Sequence, residues 1–137
     1  MTTAFLLYRS QTTLRAKSSA CTEILHEARE RNRELGVTGY LHLEDGHFYQ
    51  WLEGPLVALE DVMARIERDP RHSDIEKLCR GTQRGRHFGR WEMGFGTSNR
   101  GTLFDWIAEH DVQVGNPGAF SSGLLAFMLS QQEKTTS

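Results

Sequence analysis

The sequence predicts an α+β fold: a βαββαββ sheet with two helices on one face, followed by a C-terminal extension of two short helices. Three observations predict it. Short runs such as HFYQWLEG (47–54) place aromatic and aliphatic residues alternately on two faces, the period of a strand. Two longer segments, 20–35 and 56–68, each carry one apolar stripe at helical spacing. Between them, Glu44-Asp45-Gly46 has the Asp-Gly signature of a tight hairpin turn.

In chain order, Ala4 to Ser10 reads as the first strand, with Ala4, Leu6 and Tyr8 on one face and Phe5 and Leu7 on the other. Ser18 or Ser19 caps the first helix, with Glu23 near the capping-box position. Its stripe is Cys21, Ile24, Leu25, Ala28 and Leu35; Asn32 points inward with it, and Gly36 stops the helix. Val37 to Leu43 and His47 to Glu53 form the hairpin, which Gly54-Pro55 ends. The second helix buries Leu59, Val62, Met63 and Ile66, with Arg65 and Asp69 on its flank, and Asp69-Pro70 terminates it. Ile75 to Thr82 and Arg90 to Gly96 are the last strands, the latter with Trp91, Met93 and Phe95 on one face, joined by a basic connection over 83–89. This order is the ferredoxin-like arrangement. Two helices cover only one side of such a sheet, so the face bearing Tyr49 and Trp51 needs a cover. The short helices at Leu103 to Ile107 and Leu124 to Leu129, separated by a loop around 114–118, either fold over that face or leave it as a subunit interface. The terminal QQEKTTS reads as frayed.

Composition narrows the function classes. The chain has 137 residues, 38% hydrophobic and 25% charged, as a soluble single domain does. A formal net charge of −2 offers no basic field for nucleic acid or an anionic membrane. Cys21 and Cys79 lie far apart without metal spacing and read as reduced thiols of a cytoplasmic protein. The N-terminus lacks signal-peptide features, and no apolar stretch reaches transmembrane length. Six histidines form no HxH or HxxxH pair, so no metal site is expected. Nucleophile-elbow, GxGxxG and P-loop patterns are absent.

The polar residues converge. In this topology the first and third strands are neighbours at the centre of the sheet, so Tyr8 and Gln50 come together if both face the helices. Asn32 projects from the first helix, Arg65 and Asp69 flank the second, and Trp91 and Met93 lie on an adjacent strand. A cleft with apolar walls and a few fixed polar groups suits a flat ligand. Each residue also has a structural alternative: Asn32 as a polar helix-end residue, Arg65 with Asp69 as a surface ion pair, Trp91 and Met93 as core, and Tyr8 and Gln50 satisfied by backbone. Periodicity alone gives a cleft, not a cofactor.

Five segments, LLYRSQT (6–12), RNRELGVTGYL (31–41), GHFYQWLEGP (46–55), IERDPRH (66–72) and RHFGRWEMGF (86–95), resemble the BLUF domain family, sensors of blue light using flavin, in family order and spacing. The resemblance covers roughly 4–97, placing a flavin-binding domain at 1–97 and a helical extension at 98–137. It implies a non-covalent flavin between the two helices, usually FAD, with FMN or riboflavin as alternatives. It makes Tyr8 the photochemical electron and proton donor and sets Gln50 between Tyr8 and the flavin N5/O4 edge. Asn32 would bond the O4/N3 edge, Arg65 and Asp69 would flank the pyrimidine side, and Ile24, Phe48 and Ile66 would enclose the ring. Trp91 and Met93 would belong to the light-responsive last strand. Two positions depart from the family: Arg31 stands where many members have asparagine or histidine, and would reach the ribityl or phosphate, and Ala28 stands where serine is common.

The expected function is a blue-light photoreceptor that is not an enzyme, acting through a protein partner in trans and as a homo-oligomer. The rivals are an acylphosphatase-like hydrolase, a light-independent flavin redox protein and a ligand-free dimerisation module. The hydrolase would need a glycine-rich anion loop after the first strand, and 9–17 contains no glycine.

Overall fold

A computed structural model describes residues 2–15, 17–89, 93–97, 102–113 and 115–136. Nine elements follow in order: β1 (Thr2–Gln11), α1 (Ser19–Leu35), β2 (Thr38–Glu44), β3 (His47–Gly54), α2 (Leu56–Glu67), β4 (Ser73–Arg84), β5 (Gly94–Thr97), α3 (Leu103–Glu109) and α4 (Pro117–Thr136). The sheet order is β4-β1-β3-β2-β5. All neighbours are antiparallel except β2 and β5, which are parallel. This is the α+β, ferredoxin-like sheet with a fifth strand added beside β2.

Local chemistry explains the boundaries. The Ser18 hydroxyl accepts from Cys21 N at 3.1 Å and starts α1, while Gly36, at φ 71°, closes it in the left-handed region that costs glycine least. Asp45 (φ 50°) and Gly46 (φ 74°) make the β2–β3 turn, whose two left-handed residues match the twist of a two-residue hairpin. The strand assigned to 75–82 runs from Ser73 to Arg84, because it pairs along nearly all of β1. The last strand, expected over 90–96, is Gly94–Thr97; residues 90–92, including Trp91, lie outside the described residues.

The sheet carries an apolar layer on each side. On one, Leu6, Tyr8, Phe48 and Leu52 pack with Cys21, Leu25 and Ala28 of α1, Leu59, Val62, Met63 and Ile66 of α2, and Met93. On the other, Leu7, Tyr40 and Trp51 pack with Phe88, Leu103, Phe120, Leu124, Phe127 and Met128. The tail helices are therefore part of the core. The alternation read along β1 and β3 puts each residue on the side it occupies.

The tail is more helical than its apolar runs suggest. The loop expected around 114–118 ends early, because Asn116 Oδ1 accepts from Ala119 N at 3.2 Å and Pro117 takes the first helical position. The helix then continues through Thr136, past the segment read as frayed; Gln131–Lys134 are good helix formers. Thr102 caps α3, accepting from Asp105 N at 2.9 Å.

Two carboxylates, Glu53 and the partly buried Glu44, pin the connections. Glu53 is fully buried and accepts from Trp51 Nε1 (2.9 Å), Gln83 Nε2 (3.0 Å), His87 N (3.0 Å) and Phe88 N (2.7 Å). Those bonds replace the water the carboxylate loses and hold the segment after β4 to the sheet. Glu44 bonds His42 Nε2 at 2.9 Å and the amides of Leu103 (2.7 Å) and Phe104 (3.2 Å).

His42 has no exposure and packs edge-on against Phe127, with ring centroids 4.7 Å apart. Burial lowers its pKa below the ordinary 6.5, with the bond to Glu44 opposing. The folded chain thus disfavours the protonated ring, and the unfolded chain binds the proton first as pH falls. Stability is present above pH 6.5 and declines as pH drops through the depressed folded value. The melting temperature should fall between about pH 7 and pH 5, and fall less in His42→Gln. An equal fall in both proteins would show that His42 contributes nothing.

Candidate functional site

β1 and β3 pair so that Tyr8 lies opposite Gln50. Both side chains face the helices, where a narrow cleft opens between α1 and α2. Its walls are Ile24, Ala28, Leu41, Phe48 and Ile66; Tyr8 and Gln50 sit at its floor; Glu27, Arg31, Asp69, Arg71 and His72 complete the lining. Strands supply the floor and the lower walls at Leu41 and Phe48, α1 and α2 the upper walls, and α1 with the connection from α2 to β4 the rim.

At the floor, the Tyr8 hydroxyl donates to Gln50 Oε1 in a short hydrogen bond. Gln50 Nε2 donates to Met93 Sδ at 3.3 Å. Burial, the largest cause, holds the Tyr8 phenol well above its ordinary range; Arg31 opposes and Asp69 reinforces the shift. Tyr8 is therefore a neutral phenol with a bound proton acceptor. A thioether is a weak acceptor, so the Gln50 amide, 3% exposed, ends on one good partner and one poor one. A stronger acceptor in the cleft would improve its bonding.

At the rim, Arg71 donates to Asp69 through Nε (2.9 Å to Oδ1) and a terminal nitrogen (2.7 Å to Oδ2), and reaches Glu27 of α1 at 2.7 Å. The Arg71 bond is the main cause that holds the Asp69 carboxyl below its usual range. Burial, partly offset by Tyr8, lowers the pKa of Arg31 from the usual guanidinium value. His72 bonds Ser10 Oγ at 2.7 Å and the Ile66 carbonyl at 3.0 Å. A carbonyl only accepts, so Nε2 carries a proton, and in the neutral ring Nδ1 accepts from the serine hydroxyl.

Of the residues singled out in the sequence, Tyr8, Ile24, Ala28, Arg31, Phe48, Gln50, Ile66 and Asp69 line this one cleft. Met93 touches it through Gln50. Asn32 is fully buried but does not line it; its Oδ1 accepts from Arg31 Nε at 3.3 Å. Arg65 stands outside with Arg31, Arg68, Asp69 and Arg71 around a shallow depression. The Arg65–Asp69 ion pair is a correction: Arg65 pairs with Asp61 at 3.3 Å and Asp69 with Arg71. Asp69 lies beyond the end of α2, where helical i, i+4 spacing no longer brings side chains together. Trp91 falls outside the described residues. Sequence reasoning missed Glu27, Leu41, Arg71 and His72. The signal for two of them, Arg71 and His72, was present in RDPRH (68–72), where a proline turn sets Arg71 two residues after Asp69.

The lining fits a flavin: apolar walls for a flat ring, a polar floor at one edge, and arginines toward the mouth. It does not fit an acylphosphatase-like site, because the inward asparagine that would activate water is withdrawn from the cleft. Among the described residues no His/Cys/Asp/Glu group could hold a metal ion, and no helix is long and apolar enough to cross a membrane.

Comparison with known proteins agrees with this chemistry. The family described as sensors of blue-light using FAD matches residues 4–94. Photoactivated adenylate cyclase subunit alpha of Euglena gracilis is 36% identical over 90 residues, 64% of this chain but only 9% of that protein. Among solved structures, the photo-activated state of BlsA is 29% identical with a TM-score of 0.75, covering 93% of this chain and 94% of that one. BlrB in its dark state is 28% identical with a TM-score of 0.73, covering 90% and 96%. With its matched segment spanning both helices and the whole cleft, the chain belongs to the BLUF family of blue-light-sensing flavin domains.

Proposed function

We propose that this blue-light sensor holds its flavin between α1 and α2, works by rearranging the bonds of Gln50, and signals to a protein partner without enzymatic activity of its own. The observation that carries the reading is the buried chain from the Tyr8 hydroxyl through the Gln50 amide to the Met93 sulfur. Ile24, Ala28, Phe48 and Ile66 would sandwich the ring, Asn32 would steady the α1 side through Arg31, and Asp69 with Arg71 would face its polar edge. Arg31 and Arg65, at the mouth, favour a phosphate-bearing form, and FAD is the proposed one. The sensor is assigned to 1–97 and the output to 98–137, in a cytoplasmic homo-oligomer.

A bound flavin excited by blue light supplies a strong oxidant at the Gln50 end of the cleft. Tyr8 would then give an electron to that oxidant, and its phenolic proton would pass along the existing bond to Gln50 Oε1. The raised pKa means that Tyr8 does not release the proton before the electron leaves. The amide, protonated at Oε1, would release an N–H proton toward the cleft as its imidic tautomer, and would become an amide again, in its old or a rotated orientation, when the electron and proton come back. Rotation would set Nε2 toward Tyr8 and Oε1 toward Met93. Neither an amide oxygen nor a thioether can donate, so the bond to Met93 is lost. The charge and proton return to Tyr8, leaving a different set of hydrogen bonds in a buried network with few arrangements.

The test is the visible spectrum of the purified protein in darkness and after blue light. A flavin spectrum that shifts reversibly to the red, and fails to shift in Tyr8→Phe and Gln50→Leu, is expected. A static flavin spectrum would move the function to light-independent redox chemistry, and a protein that takes up no flavin would sink the proposal. Arg71→Ala leaves Glu27 and Asp69 facing each other across the rim; flavin affinity should drop about tenfold, the scale of a lost charge-assisted hydrogen bond, with the red shift retained in loaded protein. Titrating flavin fluorescence measures it, and unchanged affinity would remove Arg71 from the site.

A further inference from the structure

We propose that Glu44 is the positioning residue through which the sensor sheet holds α3, so that light acts on the tail by loosening this one carboxylate. The inference rests on the photoreceptor reading for its light-driven half and on the geometry alone for its dark half.

Helix α3 is only seven residues long, and among them Leu103 alone is deeply buried. The first amides of a helix have no partner within it. Here two of them, Leu103 N and Phe104 N, are bonded by the Glu44 carboxylate. The Phe104 side chain is 75% exposed, so burial of the side chain does not anchor that position. Glu44 is itself held: its side chain is 11% exposed, and Oε1 also takes the bond from His42 Nε2. His42 is buried against Phe127 of α4, and its Nδ1 has no hydrogen-bond partner among the described residues. One residue pair at the end of β2 thus grips both tail helices.

The same strand borders the site. β2 pairs with β3, Leu41 opposite Gln50, and with β5, which leaves Met93 directly. The contact between β5 and β2 is tight. Tyr40 packs over Gly96, where a Cβ would lie 2.1 Å from the phenol oxygen, and His42 is the β2 residue in register with Gly96. Release of Met93 by Gln50 frees the start of β5. Any shift of β5 then meets Tyr40 and His42, since Gly96 leaves no slack, and passes to Glu44 two residues on. Arg29, which bonds the Met93 carbonyl at 3.0 Å, anchors the other side of the joint.

The experiment is residue-resolved amide exchange on the full flavin-loaded chain, in darkness and under blue light, for the wild type, Glu44→Ala and Glu44→Gln. In darkness the wild type should protect the amides of Leu103 and Phe104. Glu44→Ala should exchange both at least about tenfold faster, with Glu44→Gln in between because one oxygen acceptor remains. Light should lower the protection in the wild type, lower it less in Glu44→Gln and leave it unchanged in Glu44→Ala, while the flavin red shift keeps its full size in all three. If both variants protect the amides in darkness as well as the wild type does, or if light lowers their protection as much as it does in the wild type, the proposal is overturned. If Glu44→Ala fails to fold, Glu44→Gln decides by the same two readings. A wild type with no red shift would overturn the photoreceptor reading, and the dark comparison would still decide whether Glu44 holds α3.

Discussion

The register between β1 and β3 is the constraint on which the rest depends. It sets Tyr8 opposite Gln50. A slip of one residue would turn every side chain of one strand to the other face. Tyr8 would then leave the cleft, and the tail-facing Leu7 would replace it. The register is held by what each face buries: Leu6, Phe48 and Leu52 under the helices, Leu7 and Trp51 under the tail. The site is thus specified by apolar packing on both sides of the sheet, and the reactive pair follows from it.

This two-sided burial makes the sensor and its tail one packing unit. Each fully buried Leu or Phe contributes about 1.5–3 kcal/mol. Removing α4 would expose Leu7, Tyr40 and Trp51 to water, so a truncation after residue 97 would disturb the sheet itself. The tail is better dissected by side-chain substitutions that leave the cover in place.

Most of the fold was legible because it obeys period. The alternation of β1 and β3, the stripes of α1 and α2, and the Asp-Gly turn each pointed to the element that forms. The misreadings have local causes. Asn116-Pro117 is a helix start, but beside Gly115 and Gly118 it reads as a loop, and the N-cap bond to Ala119 decides it. The Arg65–Asp69 pair assumed a helix that ends first. Of the site, the residues on periodic elements were legible, whereas Arg71 and His72 lie on the connection after α2, where no period ranks one polar residue above another. The bonds of Glu44 to α3 join residues about sixty apart and left no trace in the sequence.

The energy scale limits what kind of output such a site can drive. Exchanging one neutral hydrogen bond for another shifts an equilibrium by about 0.5–1.5 kcal/mol. That cannot unseat α4, which buries Phe120, Leu124, Phe127 and Met128. Nor can it part the central strands, whose ladder and packing act together. It shifts an open–closed balance by about two- to tenfold without detaching the element, and α3, with one deeply buried side chain and the Glu44 bonds, is the more weakly held of the two tail helices. The tail therefore divides physically: α4 covers the sheet and keeps the fold, and α3, short and presenting Phe104 to solvent, is the part that a change of one hydrogen bond can move.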